Sequence, residues 1–238
     1  MQAAYWGYIA SGVAILICII IAIVAQVKIS YAYDKYSKIK TDVELTGAEL
    51  VDKLCGETGI KVRARKINGT LTDNYDSRTK MLSISAKNYD QNSIAGQAVV
   101  AHEFGHAMQD ANNYFPLKLR HFAIKLSQFA SSAFLPLIIA GILLEIFLTG
   151  PMVGNIVIYC VAGFYGLSVL VNLVTLPVEY NASKRAKKLL KENGMYSEKE
   201  MAGVNEVLDA AALTYVASLL VSLAFFARFL FILLGSRK

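Results

Sequence analysis

Four long apolar stretches constrain this chain more than any other feature of its sequence. The first lies within residues 1–27, which carry no charged side chain, and the others follow at residues 122–148, 152–178 and 211–234. About 20 consecutive apolar residues are enough for a helix to cross a bilayer. We therefore predict a mainly α-helical integral membrane protein with about four transmembrane helices.

The basic residues indicate which side of the membrane the polar regions face. Residues 28–120 hold 14 of the 24 Lys and Arg, residues 179–209 hold six more, and the connection at 149–152 holds none. Cytoplasmic segments are enriched in Lys and Arg. We predict a multi-pass plasma-membrane protein with both polar regions in the cytoplasm and the N-terminus outside. The basic tail Ser236-Arg237-Lys238 would then also lie outside, against this rule, unless the fourth segment folds back.

A short motif in the first polar region places two imidazoles and a carboxylate together. It reads His102-Glu103-Phe104-Gly105-His106, and only one other histidine occurs in the chain. On a helix, positions i and i+4 share a face with Cβ atoms ~5–6 Å apart, so both rings can reach one metal ion. Glu103 can then act as general base toward a water activated by that ion, as in the His-Glu-x-x-His zinc peptidases.

A third ligand is needed, because a catalytic zinc usually has three protein ligands and one open position. Glu179 follows Pro177 at the inner end of the third apolar segment, where the polar region must meet the membrane. His121 is the remaining histidine and lies at the start of the second segment. Position favours Glu179, since Glu145 lies toward the outer end of its segment and the other downstream acids lie among lysines or in a capping motif.

Local patterns predict that the main polar region is a small α+β domain. A capping box at Thr46-Gly47-Ala48-Glu49 predicts a short helix. Alternating residues predict strands at Ile60–Ala64 and Met81–Ser85. A helix is expected from Ile94 to about Asp110, with Ser93 as its N-cap, and it carries the two histidines.

The second predicted strand is also a candidate for binding substrate. Extended peptides often bind by pairing with the exposed edge of a sheet. The alternative is an ordinary core strand. The residues concerned are Met81, Leu82, Ser83, Ile84 and Ser85.

Three segments together resemble one protein family, the YugP-like neutral zinc metallopeptidases of bacterial membranes. They are Leu71-Thr72-Asp73-Asn74-Tyr75-Asp76, the histidine motif, and Leu176-Pro177-Val178-Glu179-Tyr180-Asn181-Ala182-Ser183. The resemblance covers most of the chain. It implies a zincin-like domain of the gluzincin type, with one zinc ion at His102, His106 and Glu179 and with Glu103 catalytic.

The residues after Glu179 depart from the pattern of more distant relatives. The HtpX-type and prenyl-protein membrane proteases carry an Asp where this chain has Ser183, so Asn181 or Ser183 is expected to orient a ligand histidine more weakly. Zinc would stabilise the oxyanion of the reaction, and a second donor would help. His121, Tyr180 and Arg185 are candidates, and the alternatives are an interfacial histidine, an aromatic-belt tyrosine and a lipid-facing arginine.

These observations predict a chain of five parts. In order they are transmembrane helix 1 (1–27), a cytoplasmic metallopeptidase region (28–121), a hairpin of transmembrane helices 2 and 3 (122–178), a cytoplasmic helical region with the third ligand (179–210), and transmembrane helix 4 with the tail (211–238).

The predicted function is a membrane-embedded zinc endopeptidase that cleaves a peptide or protein substrate, membrane-associated or cytosolic. One alternative is a non-catalytic zinc-binding scaffold or regulator, which would not need Glu103. A second is a basic membrane protein that binds anionic lipid, since the net charge is +6. The sequence contains no indication of a nucleic-acid site, and it does not predict the oligomeric state.

Overall fold

The computed structural model describes residues 2–147 and 152–236, and it is mainly helical with one small sheet. The elements run in the order α1 (Gln2–Tyr36), α2 (Gly47–Thr58), β1 (Arg63–Ile67), β2 (Asn74–Asp76), β3 (Met81–Ser85), α3 (Ala86–Asp90), α4 (Ile94–Ala111), α5 (Phe115–Phe147), α6 (Met152–Glu192) and α7 (Glu198–Ser236). Within these residues, four helices are long and apolar enough to cross a membrane. The prediction of a mainly α-helical chain with about four candidate transmembrane helices is therefore confirmed. Thr149-Gly150-Pro151, in the connection between the second and third apolar stretches, and the last two residues of the tail lie outside the described residues.

The four long helices continue past the ends of their apolar stretches. Helix α1 runs on to Tyr36 and α6 to Glu192, while α7 already begins at Glu198. Lys and Glu are good helix formers, so a charged stretch can prolong a helix that has already started. A capping box begins α7, because Ser197 N–H donates to Glu200 Oε2 at 2.7 Å and Glu200 N–H donates to Ser197 Oγ at 3.3 Å.

The chain divides into two compact units. The first draws on Met1–Ile23, Lys118–Leu176 and Tyr215–Lys238, and the second on Val24–Leu117 and Pro177–Thr214. In the first unit, α5 and α6 meet at the stacked rings of Phe134 and Phe164, whose centroids are 4.8 Å apart. The second unit combines the two polar regions, the sheet and the histidine motif.

The sheet of the second unit has the strand order β1-β3-β2. Strand β3 pairs with β1 in parallel and with β2 in the antiparallel sense, so it is the central strand. Leu82 and Ile84 are completely buried. Strand β1 pairs with all five residues of β3, and β2 pairs with Met81, Leu82 and Ser83, so β3 has no open edge along these three residues. A substrate-binding role for Met81, Leu82, Ser83, Ile84 and Ser85 stays a prediction. The alternative, a core strand, agrees with the burial of Leu82 and Ile84.

The first strand lies further along the chain than its pattern predicts. It covers Arg63–Ile67 instead of residues 60–64, because α2 continues to Thr58. Gly59 ends that helix with a left-handed φ of 69°, and its N–H donates to the carbonyl of Cys55. The residues after Gly59 carry the chain to the edge of β3, where β1 begins.

Helix α4 lies within the core of the second unit. The fully buried side chains around it include Leu50 and Leu54 of α2, Ile84 of β3 and Leu190 of α6, together with Phe104 of α4 itself. Burial on several sides agrees with the apolar character of the first half of this helix. A helix held in this way presents its side chains at fixed positions, which a metal site requires.

Candidate metal centre

The two motif histidines lie side by side on α4. The helix begins at Ser93, whose Oγ accepts a hydrogen bond from Gly96 N–H at 3.1 Å. Uninterrupted helix from there places His102 and His106 one turn apart, with ring centroids separated by 5.0 Å. The local sequence alone thus brings two imidazoles to one face of a buried helix.

Glu179 of α6 completes a cluster of three metal-ligating side chains. Its Oε2 lies 3.1 Å from His102 Nε2 and 3.5 Å from His106 Nε2. One ligand atom from each of the three residues lies within 4.8 Å of the others, and Glu179 is only 2% exposed. Position in the sequence favoured Glu179 over His121 as the third member, and the structure brings Glu179 to the histidines.

The donor set fits zinc. Zn–N and Zn–O bonds of 2.0–2.2 Å in a tetrahedron place neighbouring ligand atoms about 3.3 Å apart. The two separations from Glu179 Oε2 lie on either side of that value, and the separation between the two histidine ligand atoms is within 4.8 Å. Two neutral imidazole nitrogens and one carboxylate leave the fourth position of such a site open.

Glu103 lies beside the cluster and is itself buried. Glu103 follows His102 directly in the sequence, and it is 9% exposed. Burial raises the pKa of the Glu103 carboxyl above its usual range, and the negative charges of Glu179 and Asp73 add to that effect, while His106 and His102 oppose it. A carboxylate with a raised pKa accepts a proton more readily than an exposed one.

Each motif histidine has a hydrogen-bond partner at its other ring nitrogen. Ser183 Oγ lies 3.1 Å from His102 Nδ1. Gln109 Oε1 lies 2.9 Å from His106 Nδ1. Sequence reasoning named Ser183 but missed Gln109, although its position three residues after His106 on one helix was a usable signal.

The other predicted site residues are Asn181, Arg185, Tyr180 and His121. Asn181 reaches it through Gln109, whose Nε2 donates to Asn181 Oδ1 at 3.1 Å. Arg185 donates from Nε to the same oxygen at 2.8 Å. Tyr180 is 47% exposed on α6. His121 belongs to the first unit and is not a member of the ligand cluster found in the described part of the chain.

Fold and site together define a class of protein, a multi-pass membrane protein with a His-His-Glu cluster in its polar unit. The chain belongs to the family described as "Putative neutral zinc metallopeptidase", which matches residues 12–234. It is 39% identical over 215 residues to the "Putative membrane protease YugP" of Bacillus subtilis (strain 168), a match that covers 90% of this chain and 92% of that protein. No solved structure matches the chain. The resemblance noted in the sequence is confirmed.

Proposed function

We propose that this protein is a membrane-embedded, zinc-dependent endopeptidase. The observation that carries the proposal is the convergence of His102, His106 and Glu179, with ligand atoms within 4.8 Å of one another, beside the buried Glu103. Membership of a zinc metallopeptidase family supports the same reaction class. The ligand set of two histidines and a glutamate is that of a gluzincin, and the sheet with α4 would make the second unit zincin-like.

The three cluster residues would hold one zinc ion. When bound, zinc lowers the pKa of water toward neutrality and polarises a peptide carbonyl. Glu103 accepts the proton of the attacking water as the new C–O bond forms. Its carboxylic acid then gives that proton to the amine nitrogen as the C–N bond breaks, which restores the carboxylate. Burial keeps bulk water from competing for Glu103.

The substrate would be a peptide or protein, membrane-associated or cytosolic, and the active site would face the cytoplasm from the plasma membrane. The union of both lysine-rich polar regions in one unit supports placing them on the same side. The five-part division at residues 27, 121, 178 and 210 stays a prediction.

Zinc content tests the metal site. We would purify the full chain in detergent and measure zinc per chain for the wild type, Glu179→Ala and His121→Ala. The expected result is about one zinc in the wild type and in His121→Ala, and none in Glu179→Ala. Loss of zinc in His121→Ala together with retention of zinc in Glu179→Ala would overturn the ligand set. No zinc in the wild type would overturn the proposed function.

Cleavage tests whether the bound zinc does chemistry. Glu103→Gln keeps the shape of the side chain but cannot accept the proton, so it should retain zinc and cleave an unfolded protein substrate about 10²–10⁴-fold more slowly. Equal rates for this variant and the wild type would exclude Glu103 as the base. No zinc-dependent cleavage by either would favour a zinc-binding scaffold.

A further inference from the structure

We infer that Gln109, Asn181 and Arg185 form a directional hydrogen-bond chain that holds His106 in the tautomer able to bind a metal ion. The inference rests on the proposed zinc site, and it assigns positioning roles to three residues that do not bind the metal. Each link follows from which atoms can donate and which can only accept.

The link nearest the site is between His106 and Gln109. The amide oxygen Oε1 of Gln109 lies 2.9 Å from His106 Nδ1 and can only accept a hydrogen bond. His106 Nδ1 must therefore carry the proton. A neutral imidazole has one N–H, so Nε2 keeps its lone pair, and Nε2 is the atom that lies 3.5 Å from Glu179 Oε2.

The second link keeps Gln109 in this orientation. Its Nε2 donates to the carbonyl oxygen of Val178 at 2.7 Å and to Asn181 Oδ1 at 3.1 Å. A flipped amide would place its oxygen against two other oxygens. Gln109 is completely buried, so water cannot compensate for the lost bonds. The flip is therefore strongly disfavoured.

The third link fixes the amide of Asn181. Its Oδ1 accepts from Arg185 Nε at 2.8 Å as well as from Gln109. A guanidinium has five N–H donors and no acceptor, and it stays protonated in proteins. The Arg185 side chain is also held against Tyr114, with Cζ 5.9 Å from the ring centroid. Because Arg185 can only donate, it sets the donor-to-acceptor direction of every hydrogen bond between it and His106.

The two ligand histidines differ in this respect. The partner of His102 Nδ1 is the hydroxyl of Ser183, at 3.1 Å. A hydroxyl donates or accepts equally well, so this contact is compatible with either tautomer. The hydrogen-bond chain through Gln109 selects the tautomer of His106, whereas the hydroxyl of Ser183 does not select the tautomer of His102.

Two substitutions at Asn181 separate acceptor chemistry from packing. Asn181→Asp keeps the acceptor oxygen for both Gln109 and Arg185, whereas Asn181→Leu keeps the branched shape of the side chain and has no acceptor. We would measure zinc dissociation constants of the full metal-free chain in detergent by competition with a chelator, without substrate. Asn181→Leu should bind zinc about 10-fold more weakly, at the lower end of the range for a lost outer partner, because the Val178 carbonyl still accepts from Gln109. Asn181→Asp should bind at least as tightly as the wild type. Equal constants for the two variants would overturn the inference.

Zinc affinity is measured in place of the cleavage rate because Arg185 also lines a groove that a substrate could enter. With Asn181, Lys184 and Lys188 it lines a groove of about 300 Å³, which Met108, Leu189 and Glu192 also line. A peptide substrate could contact that groove, so a change in cleavage rate would not separate positioning from substrate binding. The zinc constant is measured without substrate, so binding of a peptide in the groove does not affect it.

A second pair of variants controls for damage to the fold. Gln97 is also a completely buried glutamine of α4, and it accepts from Tyr196 Oη at 2.6 Å and donates to the Leu45 carbonyl at 2.7 Å. Gln109→Met should weaken zinc binding at least as much as Asn181→Leu, because it removes the group that contacts His106 directly, and Gln97→Met should leave the constant unchanged. Equal weakening by both methionine variants would overturn the inference. It would leave the proposed function intact, since that fails only if the wild type binds no zinc.

Discussion

A Cβ atom on Gly105 would lie 2.5 Å from the carbonyl oxygen of Ala182 and 3.1 Å from its carbonyl carbon. Both contacts are with backbone, which cannot rotate away as a side-chain tip can. Glycine at this position therefore lets α4 and α6 come together where their metal-ligating residues face one another. Gly105 precedes His106 directly, and Ala182 follows Glu179 by less than one turn.

Replacing this glycine should disturb both stability and zinc binding. In Gly105→Ala the methyl group pushes the two helices apart, and overpacking of this kind costs about 1–3 kcal/mol. The same displacement moves Glu179 away from the histidines, so zinc per chain should fall. Thermal unfolding and metal analysis of the full chain in detergent measure the two effects.

Gly56→Ala is the matched control for this substitution. Gly56 lies inside α2, and a Cβ there would meet nothing within 4 Å. Alanine is favoured over glycine in a helix by up to about 1 kcal/mol. This variant should keep its zinc and unfold at the same temperature as the wild type or higher. If Gly105→Ala behaves like Gly56→Ala, close approach at Ala182 is not what positions the site.

Zinc should stabilise the folded protein, because the ligands come from two helices that the unfolded chain does not hold together. At a free zinc concentration 100 times the dissociation constant, the free energy of unfolding should rise by about 2.7 kcal/mol. Chelation should remove this gain and lower the unfolding temperature. Glu179→Ala should show no zinc-dependent shift, and neither should the wild type with magnesium, which prefers oxygen ligands. An equal shift with Glu179→Ala would place the stabilising ion elsewhere.

The carboxylate of Asp73 should be important for stability of the second unit. It accepts hydrogen bonds from Ser85 N–H at 2.9 Å and from Asn88 Nδ2 at 3.1 Å, and Asn88 Oδ1 accepts from Tyr33 Oη at 2.7 Å. Asp73→Ala leaves donors of Ser85 and Asn88 without an acceptor. Each buried donor left unpaired costs about 1–3 kcal/mol, so the unfolding temperature should fall clearly.

Asp76→Ala provides the comparison for Asp73, since it removes a carboxylate three residues away. Asp76 Oδ1 accepts from the N–H of Arg78 at 2.9 Å and pairs with its Nε at 3.4 Å, and the Arg78 side chain is 80% exposed. Exposed pairs contribute about 0–1 kcal/mol, so this variant should unfold close to the wild type. If the two variants lose the same amount of stability, the buried network around Asp73 contributes no more to the folded state than the exposed contacts of Asp76.

The sequence was sufficient to find the residues whose roles depend on spacing along one helix. His102, Glu103 and His106 follow from the motif, because the geometry of a helix converts a separation of four residues into one face. Glu179 needed a further argument, from its position at the end of an apolar segment. These four residues are the ones the structure places together.

Roles that depend on tertiary packing could not be predicted in this way. Whether β3 is a central or an edge strand depends on the order of strands, which the alternating pattern of residues 81–85 does not contain. Gln109 acts on His106 only because α6 supplies Val178 and Asn181 as acceptors for its amide. Asp73 was part of a recognised motif, yet its partners Ser85 and Asn88 became visible only in the fold.

Ser183 should contribute less to zinc binding than Gln109, because its hydroxyl does not select a tautomer of His102. Ser183→Ala should raise the zinc dissociation constant by less than Gln109→Met does in the same chelator competition. Ser183→Asp should lower the constant, because a carboxylate both fixes the proton on Nδ1 and makes Nε2 a stronger ligand. Ser183 is 7% exposed, so retention of the fold must be checked by thermal unfolding. If Ser183→Ala weakens zinc binding more than Gln109→Met does, the expected ranking of the two partners is wrong. His102 would then be the ligand whose orientation limits zinc affinity.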